Sequence, residues 1–214
     1  MRLPILAPLV LAVGVAFVAS SCTTMTPEAC QVADWGALGV VDGQAGATLQ
    51  KFEARQTDCA KIGVQADFDA YSRGRDSGLR NFCQPGSGFH AGLSGYSYQG
   101  VCPGVLEADF MLGYTDGRIA YDARQALSSA EGAVSSARSE RDNVDEKIRH
   151  FQSELTRKDA TEVEKTTARN RLNDLRTDRR RAEDRIRDAE LDRVRAAFNA
   201  DRVRADIGMR WGSW

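Results

Sequence analysis

The sequence is poor in the residue types that build most enzyme centres and metal sites. It has 2 histidines among 214 residues, and its formal net charge is −1 at neutral pH. A charge so near zero gives no electrostatic reason to expect nucleic acid or an anionic membrane surface as a partner. Zinc sites typically need close cysteine pairs, whereas Cys30, Cys59, Cys83 and Cys102 are separated by 29, 24 and 19 residues. We therefore predict no metal ion and no cofactor.

The N-terminus has the pattern of a targeting segment. One positive charge, Arg2, precedes an apolar run from Leu3 to Val18, and small residues follow. The run is too short and too weakly flanked for a stable membrane span, so it predicts a signal peptide over residues 1–21.

The residues just before Cys22 resemble the lipobox of bacterial lipoproteins, although Ala19 stands where leucine is commoner. In such proteins the cysteine becomes an acylated N-terminus, which predicts lipidation of Cys22, a linker over residues 22–26 and a membrane partner reached through acyl chains. By resemblance to sorting rules, Thr23 in place of aspartate favours the outer membrane, with the protein facing the periplasm. The alternative is ordinary secretion, with Cys22 a free thiol.

The other four cysteines are an even number, which predicts two disulfides in an oxidising compartment. Three pairings are open on sequence grounds. A chain that folds back at Gly46 would pair Cys30 with Cys59 and leave Cys83 with Cys102.

From residue 121 onward the sequence has little glycine, no proline and many charges. Small and apolar residues recur there at steps of three and four, in two series that are typical of a coiled coil. The series are Ala123, Ala126, Ala130, Ala133, Ala137, Val144, Ile148, Phe151 and Leu155, then Ala168, Leu172, Leu175, Ala182, Ile186, Ala189, Ala196, Ala200 and Val203.

Between the two series, Asp159 with Glu162, or Thr161 with Glu164, fits a capping box that starts a new helix. We therefore predict an antiparallel coiled-coil hairpin over residues 121–207, with its turn near residues 157–161 and a C-terminal tail over 208–214. The alternative is one uninterrupted helix that dimerises with a second chain.

A hairpin folded near residue 159 would place Ala123 opposite Ala196. Glu140 and Arg179 would then share a polar layer, either as an ion pair across the seam or with both side chains extended into water.

Residues 27–120 contain most of the glycines, often spaced along one helical face: Gly39, Gly43 and Gly46; Gly74 and Gly78; Gly113 and Gly117. Interior glycine weakens a helix by about 0.5–1 kcal/mol relative to alanine, so these faces indicate close backbone approach, although some glycines would instead mark turns. We predict helices over about 27–45 and 48–62, a third between Asp67 and Cys83, and a fourth that starts near Val105 and continues into the hairpin.

Residues 84–103, rich in glycine, proline and serine, are predicted to form a long loop. Its aromatic side chains are the candidate binding residues, and a sugar or a partner peptide would suit them: Phe89, His90, Tyr96 and Tyr98. The alternative is that they cover the core. A Ser–His–Asp site using Ser87 or Ser94 with His90 rests on spacing alone, so no catalytic residue is predicted. We expect Asp34 to pair with Arg73 or Arg75.

Four motifs in order resemble bacterial lipoproteins that carry "domain of unknown function 2799" (DUF2799). They are CxxxDWxxxGxxDGxxG from Cys30, YxxGRxxGLxxxC from Tyr71, YxxxCP from Tyr98 and FxxxYxxG from Phe110. The resemblance covers roughly residues 27–120 and excludes the predicted coiled coil. It implies an envelope location and paired cysteines, and it brings no established activity.

Together these observations predict an all-α protein, in which a small disulfide-linked helical domain is followed by a long antiparallel coiled-coil hairpin. The function they favour is a structural or protein-interaction role in the envelope, with self-association or partner contact through the coiled coil. The alternative is a binding module for a cell-wall glycan or small ligand at residues 84–103. We do not expect an enzyme.

Overall fold

The structure is a computed structural model that describes residues 24–214, so the predicted signal peptide and Cys22 lie outside the described residues. Within residues 24–214 the regular structure is entirely α-helical, as predicted. The helices are α1 (Pro27–Gln31), α2 (Trp35–Gln44), α3 (Gln50–Ala60), α4 (Phe68–Phe82), α5 (Pro85–Leu93), α6 (Gly104–Thr156) and α7 (Glu162–Trp211).

Local capping explains where several helices begin. The side chains of Asp34 and Asp67 accept hydrogen bonds from the third backbone N–H beyond them, at Ala37 and Ala70. Asp34 therefore ends the single helix predicted over 27–45 and starts α2 as a separate helix. At α7 the capping box is formed by Thr161 and Glu164, one of the two predicted alternatives.

Two helix pairs form the disulfide-linked part of the protein, and glycines make close packing possible in both. In the first helix pair, α2 packs on α4, and a Cβ at Gly39 or Gly43 would overlap the backbone of α4. In the second helix pair, α5 packs on α6, and a Cβ at Gly88 or Gly92 would overlap the backbone of α6. The predicted close approach of glycine faces is thus present twice.

The predicted loop over 84–103 is wrong for its first half, because residues 85–93 form α5. Pro85 occupies the first turn, where its missing N–H costs nothing. Gly88 and Gly92 weaken an isolated helix, but they let α5 lie directly against the backbone of α6. Tertiary packing therefore overrides the local signal for a loop.

The disulfides join Cys30 to Cys59 and Cys83 to Cys102, the pairing expected for a chain that folds back at Gly46. Gly46 has φ +65°, a left-handed conformation that glycine adopts without strain, and the ring of Phe82 fills the space where its Cβ would lie. The chain therefore does reverse at this residue.

Helices α6 and α7 form the predicted antiparallel hairpin, and α6 runs from the second helix pair into it without a break. At 1.5 Å per residue, the 53 residues of α6 span about 80 Å. The predicted partners differ, however. Arg179 bonds Asp145 and Glu183, while Glu140 bonds Arg185, so the Glu140–Arg179 ion pair, one of the two alternatives, is not made.

The arms are displaced from the predicted alignment, so that α6 residues lie opposite positions nearer the C-terminus of α7. Ala123 lies in one buried cluster with Ala200 and Val203, closer to the C-terminus than the predicted Ala196. Farther along α7, Ile207 belongs to the same cluster and Trp211 packs against it, so the end of α7 docks on the second helix pair.

Candidate functional site

The most polar buried cluster in the described residues surrounds Asp42 of α2. Asp42 is fully buried, and its Oδ2 accepts a hydrogen bond from the Tyr71 hydroxyl at 2.9 Å. Its Oδ1 lies 3.1 Å from a guanidinium nitrogen of Arg55, which binds both carboxylate oxygens, and 3.1 Å from the Lys51 ammonium. The cluster therefore ties α2, α3 and α4 together at one carboxylate.

The electrostatics of this cluster keep Asp42 ionised and Tyr71 neutral. Burial by itself raises the pKa of Asp42, but the hydrogen bonds from Arg55, Lys51 and Tyr71 outweigh it and hold that pKa below the usual 3.8. Burial, and then the hydrogen bond to Asp42, raise the pKa of Tyr71 to about 12. Neither group is tuned toward neutral pH, where a general acid or base works best.

The cluster attaches α3 to α2. Its two cations lie one turn apart on α3, at Lys51 and Arg55, and both point at the same carboxylate. Sequence reasoning missed this use of Asp42. Two features of the sequence could have indicated it. Asp42 lies next to Gly43 on the glycine face, and Lys51 and Arg55 follow at a spacing of four residues.

The expected partner of Asp34 was wrong. Asp34 caps α2 by accepting from Ala37 N at 2.9 Å. Arg75 instead donates to the carbonyl oxygen of Ala47 at 2.9 Å, which fixes the turn after α2 to α4.

A second buried carboxylate, Asp116 of α6, holds the end of α7. The indole N–H of Trp211 donates to Asp116 Oδ2 at 2.8 Å, and Arg210 lies 3.2 Å from Oδ1. The Trp211 ring stacks on Phe89 of α5, with centroids 5.0 Å apart and planes 3° apart. This contact, which we call the base clasp, joins α5, α6 and α7 at the root of the hairpin.

The four candidate binding residues lie in different surroundings. Phe89 is buried beneath Trp211, whereas His90, its neighbour on α5, is exposed. Tyr98 packs on Phe110, and its hydroxyl accepts from Cys102 N at 2.9 Å. Tyr96 is half-buried against Phe82. Three of the four side chains thus make core contacts, and the structure does not gather the four into one cleft.

The serines near His90 are engaged with the backbone. Ser87 donates to the carbonyl oxygen of Asn81 at 3.2 Å, and Ser94 donates to that of Ala91 at 2.8 Å. Neither hydroxyl donates to the His90 ring.

In the part of the chain that the structure describes, no three His, Cys, Asp or Glu side chains are grouped so as to hold a metal ion. Across residues 24–214, none of the helices combines the length and the apolar character that crossing a membrane requires.

A scan against protein-family models matches residues 34–119 to the family described as "Protein of unknown function (DUF2799)". The matched region runs from the N-cap of α2 into α6, so it contains both helix pairs and stops short of the hairpin. The resemblance of the four motifs to this domain family is therefore confirmed. No curated protein and no solved structure matched the chain.

Proposed function

We propose that this chain, in which residues 34–119 form a domain of the DUF2799 family, is an envelope lipoprotein with a structural or protein-interaction role. In this proposal Cys22 carries the acyl chains and anchors the protein to the outer membrane. The helix pairs form a rigid base, and the hairpin is the arm that contacts a protein partner. The proposed role is not catalytic.

The observation that carries the proposal is the continuity between base and hairpin. Helix α6 belongs to both, and the base clasp fixes the end of α7 to α5 and α6. A contact at the tip, tens of ångströms away, would therefore be held in a fixed direction relative to the base. The hairpin is long, charged and narrow, which suits contact along a surface better than enclosure of a small molecule.

The alternative role of residues 84–103 as a glycan-binding loop has less support. Phe89, Tyr96 and Tyr98 contribute to packing, and stacking on a sugar would require at least one ring to leave it.

Photo-crosslinking in living cells tests the proposed role. A photoreactive residue is placed at Gln152 near the hairpin tip, at Gln99 in the segment before α6, and at Gln56 on α3, all of which are exposed glutamines. We expect discrete protein adducts from Gln152, with Gln56 as the matched control that gives none. Glycan adducts from Gln99 without protein adducts from Gln152 would overturn the proposal.

The anchor is tested separately by acyl labelling. We expect the wild-type chain to incorporate radiolabelled fatty acid and to fractionate with the outer membrane, and Cys22→Ser to lose both properties. A soluble wild-type chain without label would show ordinary secretion instead.

A further inference from the structure

Helix α7 has an apolar stripe on the side that faces away from α6. Leu191, Val194 and Phe198 are 56%, 55% and 73% exposed, and they follow one another at steps of three and four. Ala200, which is buried against α6, lies nine residues from Leu191, or two and a half turns, so the two lie on opposite faces. We call these three residues the outer stripe. Such a set at coiled-coil spacing is typical of a helix that packs on another helix.

We propose that the outer stripe pairs with the outer stripe of a second copy of this chain, with the two α7 helices antiparallel. This inference rests on the proposed role of the hairpin in protein contacts and names the partner. In the alignment we propose, Val194 of each copy packs against Phe198 of the other, around a twofold axis that passes near residue 196.

The charges beside the outer stripe favour the antiparallel direction. At coiled-coil spacing this alignment brings Asp188 opposite Arg202 of the second copy, and Glu190 opposite Arg204 of the second copy. The twofold axis makes each pair twice, giving four opposite-charge contacts. Two kinds of unfavourable contact remain: Arg195 meets its own counterpart at the axis, and each Leu191 faces Asp201 of the second copy.

A parallel arrangement would be much less favourable. The positions that flank the outer stripe along its seam are Arg187 and Asp201, and each would face its own counterpart. Glu183 would also face Asp188 of the second copy twice, and the two Glu190–Arg195 pairs of that arrangement would offset only these. Like charges that face each other in this way oppose pairing, so the pattern selects one direction.

Glu190 and Arg204 could exchange their present ion-pair partners for residues of the second copy. Glu190 now bonds Arg138 at 2.8 Å, and Arg204 bonds Asp201 at 3.2 Å. Both are solvent-exposed ion pairs, which contribute little to stability and exchange readily.

Cysteine crosslinking of the full chain in cells tests both the pairing and its direction. Ala197 would meet its own counterpart across the axis, so we expect Ala197→Cys to give a covalent dimer of twice the chain mass. Leu191→Cys reports on the parallel arrangement, because only there does residue 191 meet itself. Ser135→Cys, an exposed position on α6, is the control and should stay monomeric.

Charge reversal in the Ala197→Cys background provides the second test. We expect Asp188→Arg to reduce the dimer several-fold, and Asp188→Arg with Arg202→Asp to restore it, because the pair is then re-formed with its signs exchanged. The restored double variant excludes misfolding as the cause of the loss.

Three outcomes would overturn this inference. They are a dimer from Leu191→Cys, no dimer from Ala197→Cys, or no recovery in the double variant. If Gln152 still gives adducts with another protein, the proposed role stands and only self-association fails. If no position on the hairpin gives any protein adduct, both fail.

Discussion

The two helix pairs of the base use the same backbone contact but differ in what they bury beside it. In each pair, two glycines four residues apart on one helix meet two glycines four residues apart on the other. For each pair, one disulfide joins the segment before the first helix to the segment before the second. Each pair also has a left-handed glycine, Gly46 or Gly95, which lies against the ring of Phe82 or Tyr121. The first pair buries a charged carboxylate at this contact, at a position that is apolar in the second.

The difference is clear when the pairs are aligned on their glycines. Asp42 precedes Gly43 in α2, and Ala91 precedes Gly92 at the matching position of α5. Tyr71 lies three residues before Gly74, and Phe110 lies three residues before Gly113. The second pair thus forms with apolar residues at the positions of Asp42 and Tyr71, which shows that close packing on glycines does not require polar groups there.

What the first pair has in addition is α3. The connection between its two helices contains α3, whereas the corresponding connection in the second pair, residues 94–103, has no helix. Arg55 and Lys51 bind α3 to Asp42. Asp116 does the same for α7 through Trp211 and Arg210. Glycines thus allow the two helices of each pair to pack closely, and a buried carboxylate attaches a third helix to each pair.

The largest expected effect comes from filling a glycine contact. Gly43→Val and Gly92→Val place a side chain where backbone atoms of the partner helix lie, so we expect a loss above about 4 kcal/mol in the free energy of unfolding, or no folded base. Urea unfolding followed by near-ultraviolet circular dichroism measures it.

The matched control for this prediction is Gly132→Val on α6, where a Cβ would meet no atom within 4 Å. There we expect a change below about 0.5 kcal/mol. If Gly43→Val were harmful and Gly92→Val harmless, the claim that both pairs share one mechanism would be wrong.

The next prediction tests whether the packing of α2 on α4 depends on the polar cluster around Asp42. Asp42→Ala leaves Arg55 buried without its partner, so we expect a loss of about 3–5 kcal/mol in the free energy of unfolding. Asp42→Ala with Tyr71→Phe gives the first pair the apolar residues that the second pair has at these positions, and adding Arg55→Met removes the buried cation, so the triple variant should recover most of that loss. Equal instability of the single and triple variants would show that the first pair needs its charges.

The base clasp is expected to contribute somewhat less, because Trp211 is only half-buried. Trp211→Ala should cost about 2–4 kcal/mol and speed hydrogen exchange in the last turns of α7. Trp211→Phe retains a ring to stack on Phe89, so its effect should be smaller. Unchanged exchange near residue 207 in Trp211→Ala would contradict the role of the clasp in holding the end of α7.

The smallest effect is a pH dependence confined to the first pair. Burial and the bond to Asp42 raise the pKa of Tyr71 from 10.0 to about 12, so folding favours its neutral phenol. The resulting stability is complete below about pH 10 and is lost as the pH rises to about 12, with a maximum of about 2–3 kcal/mol.

The measurement is the free energy of unfolding between pH 9 and pH 12 in the wild type and in Tyr71→Phe. Tyrosines elsewhere contribute equally to both proteins, so the difference between the two curves reports on residue 71. Parallel curves would mean that the Tyr71 phenol is not held neutral by folding.

Much of this fold could be predicted from local sequence signals. The steps of three and four predicted the hairpin arms, and the pattern from Thr161 to Glu164 was one of two signals for its turn. The glycine spacing predicted close helix contact, and Gly46 suggested the disulfide pairing. Each signal is contained within a few turns of one helix, where periodicity and capping act.

The errors have a common physical origin. Glycine and proline in residues 85–93 read as a loop because their effect on an isolated helix is unfavourable, whereas α6 supplies the surface that stabilises α5. Asp42 and Asp116 were not recognised as attachment points because Arg55 and Trp211 lie 13 and 95 residues away along the chain.

The sequence by itself determined the all-helical class, the hairpin and the small-residue faces, since these follow from spacing along one chain segment. Only the tertiary structure decided which glycine face met which, where the buried charges found partners, and how the hairpin arms were aligned. The physical reason is that these properties depend on contacts between distant segments. The repeating small residues of α6 and α7 would by themselves permit several alignments, and in the one observed Trp211 contacts both Phe89 and Asp116.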